Sequence, residues 1–175
     1  MLSTRFMKRF LCALAVTALV VVPSVARSQT IPSTVGAGPH GYDWNVGTWS
    51  CTNSMAASPM GGPTSTTETV SRTSSGAILY HTTGNNFDFS FYNVYVPKKK
   101  MWVSPFSGAD GSHGSESTTQ TGRKIVWPGT AFDPAGKSMQ VRDTLVYEST
   151  KYSDLGEYLS AGTWKKQYKI TCTRK

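Results

Sequence analysis

Beyond one apolar run near its start, the chain alternates apolar and polar positions in short stretches set apart by Gly, Pro, Asn and Ser. No later segment sustains an apolar period of 3.6 residues, so strands rather than helices are predicted. They are expected near 48–55, 65–73, 77–83, 88–96, 100–106, 114–121, 123–128, 138–148, 151–160 and 163–173. Tyr42 to Val46 reads as one short helical turn that starts at Asp43 and ends at Gly47. Pro97–Lys100 and Asp133–Gly136 carry the residues of tight turns. Ser107 to Gly122, rich in Ser, Gly and Thr, reads as a loop at one mouth with only a short strand inside it. Strands joined in succession by short turns predict an all-β fold, a closed antiparallel up-and-down barrel of about ten strands.

The early apolar run, Phe10 to Val22, follows Arg5, Lys8 and Arg9 and precedes the small residues Ser24-Val25-Ala26. That is the pattern of a cleaved export signal over residues 1–26, with Ser28 as the second choice of cleavage site. The run falls short of the ~20 apolar residues a membrane helix needs. No membrane span is expected after cleavage, and a periplasmic or secreted bacterial location follows. Residues 27–41, rich in Ser, Pro, Gly and Thr, read as a flexible leader to a single domain over 42–175.

Cleavage removes Cys12 and leaves Cys51 and Cys172, one at each end of the strand pattern. Two thiols in an oxidising compartment form a natural disulfide. A closed barrel sets its first and last strands side by side, within the roughly 7 Å that a bridge requires. Cleavage also leaves fifteen basic residues against ten acidic ones, so the net charge falls from +8 to +5. The excess sits in Lys98-Lys99-Lys100 and in Lys165, Lys166, Lys169, Arg174 and Lys175. Lysines at a turn and on outer strand faces keep edges unpaired and the protein soluble. Without a nucleic-acid motif, they do not define a nucleic-acid partner.

Alternation assigns the inner faces. Met139, Val141, Asp143, Leu145 and Tyr147 fall together, as do Trp164, Lys166, Tyr168, Ile170 and Cys172, and Phe87, Phe89 and Phe91 repeat the same period. Phe89, Phe91, Trp102, Trp127, Asp143, Tyr147, Lys166 and Tyr168 are therefore expected to line one interior. The charges Asp143 and Lys166 are costly there unless paired or solvated. Three explanations are open: a polar ligand with water, a mutual ion pair, or a bulge that shifts the register. Trp49 is expected to be packed and largely buried at the closed end.

Gly47-Thr48-Trp49-Ser50-Cys51, with Tyr42-Asp43-Trp44 upstream, resembles the opening of exported bacterial domains of unknown function in the nitrobindin-like, calycin-type barrel group. More distantly it is similar to the Gly-x-Trp entry strand of lipocalins, a likeness that implies an Arg or Lys stacked on the Trp49 ring. Arg142-Asp143-Thr144, Asp154-Leu155-Gly156-Glu157-Tyr158, Gly162-Thr163-Trp164 and Ile170-Thr171-Cys172-Thr173 continue the likeness in order. The resemblance implies about ten antiparallel strands around an interior of small-molecule size, and no known activity. Nitrobindin's haem ligand is a late-strand histidine. The histidines here are His40, His81 and His113, so that ligand does not carry over and no haem or other cofactor is expected.

Other chemistry is thinly represented. Asp110, His113 and Glu116 are spaced for a metal but lie in a Gly/Ser-rich stretch, which reads as a solvated loop, so no metal site is assigned. A nucleophile elbow, a P-loop and a dinucleotide fingerprint are missing, and no pair of the ten acids is singled out as a glycosidase dyad. No catalytic residue is assigned. The aromatic content favours a non-catalytic binding module for a small amphipathic or hydrophobic ligand. The alternative is a packed structural or interaction protein of the cell envelope, with a hydrolase or haem-binding barrel behind it.

Overall fold

The computed structural model describes residues 30–56 and 62–175. The predicted signal peptide, Cys12 and the start of the expected leader lie outside them. Ten antiparallel strands close into one barrel: β1 Gly47–Asn53, β2 Ser65–Arg72, β3 Ile78–Gly84, β4 Phe87–Val96, β5 Met101–Gly108, β6 His113–Thr118, β7 Lys124–Phe132, β8 Ser138–Tyr147, β9 Lys151–Ser160 and β10 Thr163–Arg174. Each pairs with its sequence neighbours, and β10 returns to β1, the up-and-down order expected from the short turns. Among the described residues no helix is long and apolar enough to cross a membrane.

The seam is covalent. Cys51 and Cys172 are direct cross-strand partners in the β1–β10 register, bridged by a disulfide with Cα atoms 4.1 Å apart. Elsewhere the wall is less complete. β6 pairs with β7 only from His113↔Phe132 to Glu116↔Gly129. Beyond that point Thr118 faces Trp102 of β5, while Lys124 to Trp127 face β8. The side chain of Gln120 fills in for the missing strand, its Oε1 accepting from the Val126 amide at 2.8 Å.

The Ser107–Gly122 stretch is more ordered than its composition predicts. β5 runs to Gly108, the chain turns at once, and β6 begins at His113. Asp110 builds the turn by accepting from both the amide (2.9 Å) and the hydroxyl (2.6 Å) of Ser112. These local bonds let a polar sequence turn tightly.

From Ile31 onward the segment read as a leader packs against the barrel. Ile31 and Val35 are fully buried, and the segment leading into the short 3₁₀ turn Asp43–Asn45 closes one end of the barrel. It is tied to two strand connections and to the ends of two strands, β5 and β2. Ile31 N bonds Ser149 O, Gly122 N bonds Val35 O, Trp102 Nε1 donates to Gly36 O, and Arg72 donates to Pro39 O. Arg174 adds a bond to the Trp44 carbonyl, and Arg72 pairs with Asp43. A Ser/Pro/Gly composition predicts mobility when no partner is known. Here the two apolar residues and the segment's backbone groups find partners that only the assembled barrel supplies.

Above this plug lies an aromatic layer. Trp49 is 1 % exposed, donates its Nε1 to Asn45 O at 2.8 Å, and meets Trp44 and Tyr152 edge-on. The guanidinium of Arg174 lies 4.9 Å from its ring centroid. Trp102, Trp127, Tyr147, Tyr42 and Ile125 complete the layer.

Candidate binding chamber

Beyond the aromatic layer, toward the end where β7 turns into β8 and β9 into β10, inward side chains retain exposure. Phe89, Phe91, Phe106, Asp143, Asp154 and Tyr168 are all only half-buried there. They form two unlike walls. On β4 and β5, Phe87, Phe89, Phe91 and Phe106 make a continuous aromatic surface, with ring centroids 5.6 Å apart for Phe89 and Phe106. Tyr80 of β3 stacks on Phe91 at 4.2 Å. The period-2 phenylalanines of β4 place their rings on one face, and the β4–β5 register sets Phe91 opposite Phe106.

The other wall is acidic and runs from β6 to β10. Glu116 faces Gly129, Asp143 faces Gly156, Asp154 faces Ile170, and Tyr168 faces Gly156. Glycine on the middle strands gives the longer side chains room. A Cβ at Gly129 would stand 2.6 Å from Glu116 Cγ. Tyr168 donates its hydroxyl to Asp143 Oδ2 at 2.7 Å. From β2, Glu68 reaches in as a fourth carboxylate, accepting from Thr82 Oγ1 at 3.3 Å and from the Tyr152 hydroxyl.

The four carboxyls share one electrostatic field. Burial pushes Glu68 up to about 7, partly offset by the bonds from Tyr152 and Thr82. Burial also pushes Asp143 up to about 6 against the pull of Tyr168. Glu116 is raised by burial and then by the charges of Asp143 and Asp154. Asp154 is raised by burial and then by Asp143 and Glu68. Asp143 and Asp154 keep some surface toward the chamber, yet protein surrounds them closely enough to disfavour their charged forms.

Of the residues predicted to line one interior, Phe89 and Phe91 lie half-buried on β4 among the phenylalanine rings, and Asp143 and Tyr168 lie half-buried on β8 and β10, joined to each other by a hydrogen bond. Trp102, Trp127 and Tyr147 also point inward, but they belong to the packed aromatic layer. Lys166 does not join them, and its placement corrects the expectation. A bulge between Lys166 and Tyr168 shifts the β10 register, so Lys166 is exposed on the outer face opposite Glu157. Trp164 goes out with it and stacks on Arg142, which pairs with Glu157 at 2.7 Å. The bulge is the third of the three explanations above. Asp143 is consequently bound by a tyrosine and not by a lysine.

The spaced triplet Asp110, His113 and Glu116 does not converge. His113 is exposed and stacks on Phe132, whereas Glu116 points into the barrel. Among the described residues no three His, Cys, Asp or Glu side chains gather around one metal position. Glu68 and Asp154 escaped the sequence reading, although alternation with Val70 and Tyr152 places each on an inner face. Comparison with protein-family models and with curated proteins finds no match to the chain.

Proposed function

We propose that the chain is an exported binding module that holds one small amphipathic molecule in its barrel, without catalysing a reaction, and that it is akin to the nitrobindin-like calycin group. The observations that support this reading are the phenylalanine surface of β4 and β5 and the carboxyls on β6, β8 and β9, whose inward side chains Phe89, Phe91, Phe106, Asp143 and Asp154 keep exposed surface. A pocket of this kind offers apolar area for a ligand body and a few polar groups to orient its head. The plug seals the opposite end, so entry is assigned to the end formed by the β7–β8 and β9–β10 turns. A cleft of about 420 Å³ lined by Met139, Gln140, Tyr158 and Leu159 lies at that rim. The disulfide supports an oxidising, extracytoplasmic location.

Native mass spectrometry of protein extracted from its own host tests the reading directly. A bound mass that disappears on denaturation is the expected result, and titration with the recovered molecule should change tryptophan emission from Trp102 and Trp127. Consistently ligand-free protein, together with an interior that admits nothing larger than water, would leave the surface-acting envelope protein in its place.

A further inference from the structure

We propose that the ligand is an organic cation, an aromatic or alkyl body carrying a protonated amine. This inference rests on the binding-module reading above and specifies its ligand class. Glu116 is 8 % exposed, and its carboxylate, which keeps a little solvent contact, is reached by no hydrogen bond or ion pair among the described residues. Asp154 Oδ1 is likewise buried without a partner. A buried carboxylate left without a donor is unfavourable, and it is relieved either by taking up a proton or by a cationic donor brought by another molecule.

The surroundings specify that donor's charge. Glu68, Asp143, Glu116 and Asp154 all face inward, and none forms an ion pair among the described residues. The interior arginines, Arg72 and Arg174, are committed to the plug at the far end. Arg142 and Lys166 face outward around Glu157. Among the described residues no basic side chain is thus left to offer an anion a counter-charge beside these carboxyls. A chelated metal ion does not fit either, since no three such side chains converge on one position. An ammonium has three donors and no acceptor, matching acceptors spread along β6, β8 and β9. The phenylalanine wall supplies both apolar contact and ring faces that attract a cation.

The test uses three molecules with one body and different heads: 4-phenylbutylamine, 4-phenylbutan-1-ol and 4-phenylbutyrate. Each is titrated calorimetrically into the mature protein at pH 8. The amine should bind at least about tenfold more tightly than the alcohol, with no measurable binding of the carboxylate. Glu116→Gln and, independently, Asp154→Asn should each reduce that preference, in variants shown by circular dichroism to be folded. Alcohol or carboxylate binding as tightly as the amine would overturn the cation inference and leave the binding-module reading standing. Unchanged amine preference in both folded variants would also overturn it. Failure of all three probes to bind would count against both readings together.

Discussion

The ring of Tyr168 lies directly over Gly156, so close that a Cβ on the glycine would stand 2.3 Å from the ring's Cε1. Gly156 is the cross-strand partner of Asp143 on one side and of Tyr168 on the other. The tyrosine thereby crosses a whole strand and hydrogen-bonds the aspartate two strands away. The bare backbone of β9 makes this reach possible, an interstrand use of glycine where another group approaches closely.

Gly156→Ala should displace the ring and cost roughly 1–3 kcal/mol, the usual range for overpacking. Tyr168→Phe should cost less while removing the one donor to Asp143, raising that carboxyl further above about 6. Urea denaturation and carboxyl titration by NMR separate the two effects. An alanine variant as stable as the parent would show that the ring does not need the glycine.

The disulfide closes a loop spanning 121 residues, for which the chain-entropy model gives about 5 kcal/mol. Paired replacement of Cys51 and Cys172 by alanine should lower the melting temperature by several degrees or more. Labelling of two free thiols in the untreated, folded protein would show that the bridge does not form.

Stability should fall as pH rises through the window set by Glu68. Its folded value of about 7 lies above its ordinary value of 4.5, so the folded state holds a proton that the unfolded chain has released. The contribution is fully present below 4.5 and is lost as pH rises through about 7, to the extent of a few kcal/mol at most. Glu68→Gln should flatten this limb. Urea midpoints at pH 5 and pH 8 for both proteins check it, and identical pH slopes would mean that Glu68 ionises freely.

Trp49→Ala removes a ring held by Arg174, Trp44, Tyr152 and the Asn45 carbonyl, and should cost roughly 3–5 kcal/mol. A melting temperature within about a degree of the parent's would contradict the packing described.

Alternation made most of the barrel legible, because a period of two is a local property that each strand carries by itself. It placed Asp143 inside, while the pair Cys51 and Cys172 followed from the two thiols left after cleavage together with the closure of the barrel. It failed on Lys166 because a single extra residue on β10 reverses every side chain before it, and nothing in Lys165-Lys166-Gln167-Tyr168 marks that residue. The plug was illegible for another reason. Ile31 and Val35 look isolated in sequence, and their burial depends on strand connections more than eighty residues away. The acidic wall lay between these cases: Glu68 and Asp154 have the right parity, but an acid on a barrel strand is ordinarily assigned to solvent.

The short β6–β7 pairing has a consequence for how this molecule breathes. The seam where the first and last strands meet is closed by a covalent bond, so the least bonded part of the wall is the slit past Glu116. There a glutamine side chain takes the place of a ladder, and a cleft of about 250 Å³ lined by Ser117, Thr118, Val126 and Pro128 marks the gap. Amides bordering the slit belong at the low end of the protein's opening free energies, and those beside the disulfide at the high end. The wall is thus stiff where the chain begins and ends and compliant at mid-sequence, and the compliant side is the one that carries Glu116.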